Sequence, residues 1–472
     1  MNVFGITELK NPVKEKIEFK EPFELFKSIY SEYDSSFLLE SMESDTGLAR
    51  YSFIGFEPRM IIRARSGFIE VEHEGSREEF DTENPFEFLR QFTRPTGKSR
   101  GFCGGLVGYI SYQAARFFDR INLSPGNFPD FEFGLFLDGI MFNHLTGECS
   151  YISLKDNRLP EISELLREET PTGHLKYRSM GTLFSRRRYL GMVEEARERI
   201  AEGEIFQAVL SNATDYRLRG DRLALYEALR RVNPSPYMYH LKLGSREITG
   251  SSPEMLVRVE DKQIETFPIA GTRPRGKTTH EDERIAAELL SDEKELAEHL
   301  MLVDLARNDL GRISEFGTVQ VPEYMTIRRF SHVQHILSHV TGRLRKGMDA
   351  LDALGAVFPA GTVSGAPKIR AMEIIESLEG VPRNAYAGAL GYLSLNGNAD
   401  FAITIRSMVA EGSYGRIQAG AGIVHDSVPE REYVECQNKA MAVLKSMELA
   451  GEGFDSDEPH LSPGGNGRDP DN

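Results

Sequence analysis

The chain has 472 residues, of which 40% are hydrophobic and 27% are charged, and its formal net charge is −16. This composition is typical of a globular protein with a sizeable core, and the length allows two or three domains. The acidic balance argues against nucleic acid as a partner, because phosphate binding needs a basic surface. Membrane insertion is also disfavoured, since no apolar stretch reaches the ~18 residues that a spanning helix needs.

The N-terminus and the cysteines indicate where the protein works. The segment MNVFGITELKNPVKEKIEFK carries charges where a signal peptide needs an apolar core. Cys103, Cys149 and Cys436 are far apart and odd in number, so they predict neither a zinc site nor a disulfide framework. We therefore expect a cytoplasmic protein with reduced thiols. The acidic excess is also compatible with a salt-rich cytoplasm.

The first 170 residues are predicted to be rich in strands. Runs such as FLLES, RYSFIGFEP, MIIRARSGFIEVEHEG and FGLFLDGIMFNHLTGECSYISL are separated by Gly, Asn and Asp. This pattern predicts antiparallel sheet. The next stretch, RLPEISELLREETPTGHLKYRSMG at 158–181, mixes a short helical pattern with Pro, Gly and charge. It predicts a linker or surface excursion before the larger C-terminal part.

From residue 185 to residue 448 helical and strand patterns alternate. Helical patterns cover 189–202, 223–233, 282–309, 350–358, 367–378 and 430–447, and strand patterns include MYHLKLGSREITGS, MLVRVEDKQIETFPIAGT, ADFAITIRSMVAEG and GRIQAGAGIVH. No regular strand–helix–strand rhythm is present, which favours an α+β fold with large antiparallel sheets over a doubly wound sheet. The last stretch, 451–472, is rich in acids, Pro and Gly and is predicted to be a disordered tail.

Two predicted helices each carry a pair of glutamates three residues apart. The pairs are Glu295 with Glu298 and Glu432 with Glu435. The first follows a helix cap at Ser291 or Asp292, and the second follows the capping pattern SVPE at 427–430. Each pair shares one helix face, so two such faces pointing into one cleft would supply carboxylates suited to Mg²⁺. Glutamate pairs on helices are more often solvated, and both interpretations stay open on spacing alone.

Three glycine-containing turns have the backbone character of anion sites. They are PIAGTRPRG at 268–276, FPAGTVSGAPK at 358–368 and QAGAGIV at 418–424. Exposed N–H groups at such turns and at helix N-termini bind carboxylate or phosphate. Nucleotide chemistry is disfavoured, because neither a Walker pattern nor a dinucleotide-binding glycine motif is present. His335 lies near His332 and His339, but imidazoles do not suit a Mg²⁺ carboxylate site.

These segments resemble the chorismate-utilising enzymes, and within them the anthranilate synthase component I family. The matching motifs are GEIFQAVLS, NPSPYMYHL, GSSPEML, PIAGTRPRG, ELAEHLMLVDLARNDLGR, FPAGTVSGAPK, ADFAITIRS and AGAGIVHDSVPEREYVECQNKA, in family order between residues 185 and 447. The N-terminal FLLESMESDTGLARYSFIGFEP is similar to the amino-terminal region of the same family. The resemblance covers nearly the whole chain except the acidic tail, and so many ordered motifs make chance agreement negligible.

The resemblance implies a fold, a reaction and a set of site residues. It implies paired antiparallel sheets surrounded by helices, with an N-terminal region at 1–170 and a chorismate-binding catalytic region at 185–448. It implies chorismate and ammonia as substrates, and anthranilate, pyruvate and water as products. By motif matching, Glu298 and Glu435 coordinate Mg²⁺ while Glu295 and Glu432 hold or support its waters. The residues implied to bind substrate are Gly271, Thr272, Thr362, Gly365, Tyr386, Arg406, Gly420, Gly422 and Lys439.

The resemblance also implies how the chemistry is divided among side chains. Ammonia attacks the ring at C2 while the C4 hydroxyl leaves, and the family's proton donor matches Glu254 of SSPEM. A carboxylic acid serves this role near neutral pH only if burial raises its pKa. Mg²⁺ on the ring carboxylate stabilises charge in the transition state. The aminated intermediate then loses the C2 proton and pyruvate, and His335 is the candidate base because of its pKa range.

Regulation and partners follow from the same resemblance. The N-terminal motif implies a tryptophan site for feedback inhibition, formed by Glu40, Ser41, Arg50, Pro236, Tyr237 and Met238. The alternative is that LLES is only a strand at a domain boundary. No Cys-His-Glu glutaminase module is present, so ammonia comes from solution or from a separate glutamine amidotransferase subunit. The expected assembly is a heterotetramer of two large and two small subunits.

Three alternatives remain within this resemblance. They are aminodeoxychorismate synthase component I, the isochorismate or salicylate synthases that use water, and a catalytically dead homologue that only regulates. The first sibling is implied to have a lysine where this chain has Ala270, and the water-using siblings have one where it has Gln207. Neither a methyl group nor an amide can replace a lysine amine as nucleophile or base. Both glutamate pairs, Glu254 and His335 argue against a dead enzyme, so the sequence favours direct amination to anthranilate.

Overall fold

The computed structural model describes residues 12–18, 20–42, 50–93, 101–167, 170–330 and 333–453. Over these ranges the chain forms two large sheets of mostly antiparallel strands with helices packed around them. The predicted α+β fold with large antiparallel sheets is therefore confirmed. Within the described ranges, no helix combines the length and apolar character needed to cross a membrane.

The strands outnumber the helices, and most are short. In chain order the strands are β1 Val13–Ile17, β2 Ser35–Glu40, β3 Tyr51–Phe56, β4 Met60–Arg65, β5 Phe68–His73, β6 Ser76–Asp81, β7 Gly105–Ile110, β8 Phe131–Phe136, β9 Asp138–Asn143, β10 Glu148–Ser153, β11 Leu175–Thr182, β12 Gln207–Gly220, β13 Tyr237–Leu243, β14 Arg246–Ser252, β15 Met255–Glu260, β16 Gln263–Thr266, β17 Ile269–Pro274, β18 Gln320–Arg329, β19 Val333–Arg343, β20 Gly365–Ala366, β21 Ala389–Ser394, β22 Ala399–Ile403, β23 Ser407–Glu411, β24 Tyr414–Ile423 and β25 Gly451–Gly453. The helices are α1 Pro22–Glu32, α2 Pro85–Leu89, α3 Leu159–Ile162, α4 Arg186–Ala201, α5 Leu223–Val232, α6 Thr279–Leu289, α7 Glu293–Gly311, α8 Ala350–Val357, α9 Lys368–Glu379 and α10 Pro429–Ala450.

Each sheet combines strands from both ends of the chain. In the first sheet the hydrogen-bonded order is β1-β10-β9-β3-β2-β13-β14-β23-β24-β12-β11-β25, and β20 pairs with β12. In the second sheet the order is β17-β19-β16-β15-β22-β21-β7-β8-β4-β5-β6, and β18 pairs with β19. The regions 1–170 and 185–448 therefore both contribute strands to both sheets.

Helix α8 shows how local sequence places a functional turn. It begins with a capping box, in which the Asp349 carboxylate accepts hydrogen bonds from the backbone N–H groups of Leu351 and Asp352, and the Asp352 carboxylate accepts one from the backbone N–H of Asp349. Its apolar residues Leu351, Leu354 and Val357 are buried in the largest core cluster of the molecule. Burial of these side chains fixes the helix, and the chain leaves it at the glycine-containing turn predicted from the sequence.

The predicted helical stretch 282–309 is interrupted. Helix α6 ends before Asp292, whose backbone is extended and whose carboxylate accepts hydrogen bonds from the N–H groups of Lys294 and Glu295. The cap predicted at Asp292 is confirmed, and the single continuous helix is wrong. A residue with this capping geometry starts a new helix, since its own backbone is not helical.

The capping pattern predicted at 427–430 is also wrong in detail. Helix α10 starts after Val428, which makes no side-chain cap, and Pro429 occupies the first turn, where its missing N–H is not needed. The Ser427 hydroxyl instead accepts a hydrogen bond from the backbone N–H of Val424 at 3.0 Å. Ser427 therefore closes the turn before the helix.

The predicted linker and tail both contain strand. The predicted linker ends in β11, Leu175–Thr182, which pairs antiparallel with β12. Residues 451–453 form β25, which pairs parallel with β11. Disorder is therefore wrong for 451–453, where the backbone groups are hydrogen-bonded to a neighbouring strand, while the rest of the predicted tail, 454–472, lies outside the described residues.

Candidate active site

A cleft of about 1930 Å³, counted with its open mouth, lies between the two sheets. Strands β12 and β24 of the first sheet and β17 and β19 of the second border it, together with helices α7 and α10. The predicted site residues that line it are Glu254, Gly271, Thr272, Glu295, Glu298, His335, Thr362, Tyr386, Arg406, Gly420, Gly422, Glu432, Glu435 and Lys439. The fold thus brings the predicted catalytic, metal and substrate groups into one cleft.

Glu254 lies in the connection between β14 and β15. The Thr362 hydroxyl, on the turn after α8, donates a hydrogen bond of 2.9 Å to Oε1 of Glu254. Burial raises the pKa of the Glu254 carboxyl to about 7, and the hydrogen bond from Thr362 and the charge of Lys439 oppose part of this rise. A carboxyl group with such a pKa is partly protonated at neutral pH and can donate a proton there.

His335 lies in β19 and is held through one ring nitrogen. Its Nδ1 lies 3.1 Å from the carbonyl oxygen of Gly271 and 3.0 Å from the hydroxyl of Thr272. Because a carbonyl oxygen only accepts, we assign the hydrogen to Nδ1, which leaves Nε2 of the neutral ring as an acceptor. Burial lowers the pKa of His335, and the Arg406 guanidinium lowers it further, against the effect of the Gly271 hydrogen bond. The ring is therefore neutral and able to take a proton.

The four glutamates border the cleft on two helices. Glu295 and Glu298 lie on α7, and Glu432 and Glu435 lie on α10. Burial raises the pKa of Glu298, and the nearby carboxylates of Glu295 and Glu435 raise it further. Burial likewise raises the pKa of Glu432. Negative charge is therefore crowded on this side of the cleft, which a bound cation would relieve.

Two of these carboxylates are paired with protein cations. Arg273 lies 2.9 Å from Glu295, and Lys439 lies 2.8 Å from Glu435. Throughout the part of the chain that the structure describes, no three His, Cys, Asp or Glu side chains are placed closely enough to hold a metal ion. The all-oxygen donor set fits Mg²⁺ by its chemistry, and these two ion pairs would have to open for the carboxylates to share one ion.

The cleft also contains a guanidinium group with no acidic partner. Arg406, between β22 and β23, has a left-handed backbone with φ of 53°, and burial lowers its pKa. Among the described residues, no carboxylate forms an ion pair with Arg406. Lys439 and the exposed Lys294 add positive charge to the same cleft. A buried cation is costly unless an anion accompanies it, so this side of the cleft suits a carboxylate ligand.

Two glycines of β24 keep space open in the cleft. A Cβ atom at Gly420 would lie 2.8 Å from the carbonyl oxygen of Leu210 and 3.0 Å from the hydroxyl of Tyr386. At Gly422 a Cβ atom would lie 2.6 Å from Nε2 of Gln207. Both positions therefore need glycine if Tyr386 and Gln207 are to keep their places beside the cleft.

Among the predicted substrate-binding residues, all of them described, Gly365 alone does not border the cleft. It lies in β20 opposite Ala208 of β12, and its φ is 146°. A Cβ atom there would collide with the carbonyl oxygen of Gln207. The prediction for Gly365 is corrected accordingly: glycine is needed for close strand packing beside the cleft.

Some cleft residues were missed as site residues by the sequence analysis. They are Lys294, Gln418, Ser427 and Asn438, while Gln207 and Ala270 were considered only as specificity positions. Asn438 is three residues after Glu435 on α10, so the same helix-face rule would have found it. Gln418 alternates with Gly420 and Gly422 on β24, so the two-residue strand period would have found it. No comparable local signal marks Ser427.

A second pocket, of about 730 Å³ counted with its open mouth, lies between strands of the first sheet and strands β15, β21 and β22 of the second. All six residues predicted to bind tryptophan line it, namely Glu40, Ser41, Arg50, Pro236, Tyr237 and Met238. Aromatic rings of Tyr51, Phe53 and Tyr239 contribute to the same lining. The mixed apolar and polar lining is that of a small-molecule site.

The walls of this pocket are fixed by strand pairing and hydrogen bonds. Glu40 of β2 lies opposite Met238 of β13, and the Ser41 hydroxyl donates a hydrogen bond of 2.7 Å to the carbonyl of Pro236. The Glu40 carboxylate accepts a hydrogen bond of 2.8 Å from Nε of Arg230. Glu40 is therefore committed to the wall, and its charge is already paired.

One short segment touches both pockets. Asp400 and Ala402 of β22 line the second pocket, and Ile405 and Arg406 line the cleft. Strand β22 belongs to the second sheet and β23 to the first, so the chain crosses between the sheets here. The Tyr237 hydroxyl donates a hydrogen bond of 2.9 Å to Asp400, which ties this segment to the wall of the second pocket.

Comparisons with known proteins place the cleft in a family. Residues 34–445 match the family model described as chorismate binding enzyme. Anthranilate synthase component 1 of Methanothermobacter thermautotrophicus is 97% identical over 462 residues, which cover 98% of this chain and 100% of that protein. The protein of the same name from Acetivibrio thermocellus is 44% identical, and the alignment covers 92% of this chain and 94% of that one.

Solved structures agree in fold. The crystal structure of anthranilate synthase component I from Streptococcus pneumoniae TIGR4 is similar with a TM-score of 0.75 and 37% identity, covering 85% of this chain and 93% of that chain. The menaquinone-specific isochorismate synthase of Escherichia coli shares the fold, with a TM-score of 0.73 at 22% identity and coverage of 93% and 94%. The chain belongs to the family of chorismate-binding enzymes.

Proposed function

We propose that this chain is the chorismate-aminating subunit of an anthranilate synthase, which converts chorismate and ammonia to anthranilate and pyruvate at the first committed step of tryptophan biosynthesis. The observation that carries the proposal is Glu254, whose pKa is raised to about 7 in a cleft that also holds the unpaired guanidinium of Arg406. A dianionic substrate that loses a hydroxyl group needs both a cation and a proton donor. The names and high identity of the relatives support the same reaction.

The proposed first step is amination. Arg406 and Lys439 bind substrate carboxylates, which offsets the charge that burial makes costly. Ammonia forms a bond to C2 of the ring, the ring double bonds shift, and the bond between C4 and its hydroxyl breaks. Glu254 protonates the leaving hydroxyl to give water, and the new ammonium group releases one proton to solvent, which leaves a neutral amine. Thr362 keeps the Glu254 carboxyl in place through its hydrogen bond. The products of this step are the aminated intermediate and water.

The proposed second step is elimination of pyruvate. Nε2 of His335 removes the proton from C2, the enolpyruvyl group leaves and is protonated to pyruvate, and the ring becomes aromatic. The hydrogen bond from Nδ1 to the Gly271 carbonyl supports this role, because it fixes the tautomer in which Nε2 accepts. A neutral imidazole is the form that can act as a base.

Mg²⁺ is part of this proposal. Glu298 and Glu435 would hold the ion, and Glu295 and Glu432 would hold or support its waters. When bound, the ion supplies positive charge beside the ring carboxylate of the substrate. The crowding of carboxylates that raises the pKa of Glu298 supports a cation at this place.

Two cleft positions favour anthranilate over the products of related enzymes. Ala270 and Gln207 both line the cleft, and neither side chain can act as a nucleophile or as a base for water. Aminodeoxychorismate synthase component I is the second candidate. The methyl group of Ala270 argues against this activity, because it cannot supply the nucleophilic amine of a lysine. Ammonia needs no activating lysine, because its lone pair is already a competent nucleophile.

We further propose that the second pocket binds tryptophan and that the bound amino acid inhibits the enzyme. The chain contains no tryptophan of its own, so the indole fluorescence of added tryptophan reports binding without background from the protein. A saturable change in that fluorescence supports the assignment if added phenylalanine leaves it unaffected and the Ser41→Ala substitution abolishes it. Equal binding by the wild type and by variants of the pocket wall would contradict it.

The proposed partner is a glutamine amidotransferase subunit, in a cytoplasmic heterotetramer of two large and two small subunits. The name component 1, which the relatives carry, supports a second component. Purified alone, the chain should use ammonium but not glutamine. Glutamine-dependent turnover by the isolated chain would contradict the separate subunit.

The reaction is tested with the purified chain, chorismate, Mg²⁺ and ammonium at mildly alkaline pH. We expect anthranilate, detected by its fluorescence and by mass spectrometry, together with equimolar pyruvate. The matched control is Glu254→Gln, which keeps the side-chain shape and cannot donate the carboxyl proton. Accumulation of aminodeoxychorismate or salicylate by the unmodified chain would refute the assignment.

A further inference from the structure

A third cavity, of about 1050 Å³ counted with its open mouth, adjoins the cleft along one face of β24. Alternate residues of a strand point to the same face, and this face runs from the third cavity to the cleft. Arg416 lines the cavity, Gly420 lines the cleft, and Gln418 between them lines both. Tyr386 also borders both spaces. The cavity and the cleft are therefore neighbours separated by a thin wall of side chains.

The wall contains two buried oxygen atoms that lack partners. Oε1 of Gln418 and the hydroxyl of Thr404 have no hydrogen-bond partner in the described part of the chain. Nε2 of Gln418 donates to the Ser211 hydroxyl at 2.8 Å, so only its oxygen is left without a partner. Thr404 lines the third cavity and directly precedes Ile405, which lines the cleft. Buried acceptors without donors are unfavourable, so this wall suits a ligand that brings N–H groups.

The outer end of the third cavity reaches the protein surface. Met180 and Tyr414 line it there, and they are 51% and 50% exposed. Arg416 and Asp215 form an ion pair of 2.6 Å beside them. The cavity thus runs from a charged mouth to a wall next to the substrate cleft.

We propose that ammonia enters the cleft through the third cavity, passing between Gln418 and Thr404; this rests on the proposed function. Ammonia is small and neutral, and its N–H groups match the two unpartnered oxygens. Chorismate, held by Arg406 and Lys439 in the main cleft, would obstruct a nucleophile arriving by the same opening.

The route is tested by filling the third cavity away from the cleft. Val409 of β23 lines the cavity and does not line the cleft, so Val409→Phe narrows the route without altering the catalytic groups. The matched control is Val13→Phe on the edge strand β1, where Val13 is 49% exposed. Thr404→Val removes one wall hydroxyl at nearly constant shape.

The measurements are the KM for ammonium at saturating chorismate, the KM for chorismate and the melting temperature of the isolated chain. Loss of one hydrogen bond in Thr404→Val should raise the KM for ammonium about two- to tenfold, and Val409→Phe should raise it further. The KM for chorismate and the melting temperature should match those of Val13→Phe. The same assays are repeated on the complex with its amidotransferase subunit, with glutamine as the nitrogen source. They distinguish two sources of ammonia, namely free solution and the partner subunit.

An increased KM for ammonium at unchanged KM for chorismate supports the route for ammonia from solution. A lowered glutamine-dependent rate at unchanged KM for chorismate supports the route for ammonia delivered by the partner. Unchanged values for Val409→Phe in both assays would overturn it, because ammonia would then share the main opening. Absence of anthranilate from the wild-type chain with either nitrogen source would instead overturn the proposed function, and the route with it.

Discussion

Replacing Glu254 with glutamine should abolish catalysis and, at alkaline pH, stabilise the fold. Burial raises the pKa of Glu254 from 4.5 to about 7. A folded-state pKa above the unfolded value means that the folded protein binds the proton more tightly, so this contribution to stability is complete below the unfolded pKa and is lost as pH rises through the folded pKa. The difference of about 2.5 pKa units corresponds to about 3 kcal/mol.

The assay compares urea unfolding of the wild type and Glu254→Gln, followed by circular dichroism. Glutamine does not ionise, and its Oε1 can still accept the hydrogen bond from Thr362, so only the protonation term is removed. Between pH ~5 and pH ~9 the wild type should lose about 3 kcal/mol of unfolding free energy relative to the variant. Turnover should fall by about 10²–10⁴. Glu283→Gln, at an exposed position of α6, is the control for the substitution itself.

A difference in unfolding free energy that stays constant across this pH range, to within about 1 kcal/mol, would refute the reasoning. Glu254 would then have an ordinary pKa in the folded protein and would be ionised at neutral pH. Retained turnover of Glu254→Gln in the same experiment would assign proton donation to another group.

Three further predictions concern the metal, the effector and the nucleophile. Glu298→Gln or Glu435→Gln should abolish turnover and weaken the binding of Mg²⁺ measured by calorimetry, because one oxygen ligand is lost. The circular dichroism spectrum should stay unchanged. Full activity of both variants in EDTA would exclude the metal assignment. Ser41→Ala and Met238→Thr should relieve inhibition by tryptophan without lowering the uninhibited rate, since effector and substrate bind at separate sites. Gln207→Lys should raise the yield of water-addition products relative to anthranilate, measured by mass spectrometry with ammonium withheld and supplied.

The parts of the fold that the sequence predicted are those whose pattern is local. Strand β2 and helix α8 are defined by their own apolar spacing and caps, so both were found. Strand β11 was not found, because most of its side chains are exposed and its strand character comes from pairing with β12. The same holds for 451–453, whose only strand signal is the neighbour β11.

The same distinction between local and non-local signals applies to the residues of the candidate site. Residues on one helix face or in one motif, such as Glu295 with Glu298, were predicted together and lie together in the cleft. The pairing of Arg273 with Glu295 was not predicted, since it joins β17 to α7 and depends on how the two elements pack in the folded cleft. Gly365 shows the opposite error: the motif was identified, but only the packing of β20 against β12 shows why glycine is needed there.

The crossing from β22 to β23 limits how this enzyme can vary. Seven residues, Asp400 to Arg406, connect the second pocket, proposed to bind tryptophan, to the cleft and span at most ~20 Å even when fully extended. Asp400 is fixed in β22 and Arg406 directly precedes β23, so inserting or deleting one residue between them would move either Asp400 or Arg406 away from its pocket. If the second pocket binds the proposed effector, sensitivity to it can change here by exchange of side chains and not by a change in chain length. A tolerated insertion in this segment should then occur only in chains that lack the proposed inhibition.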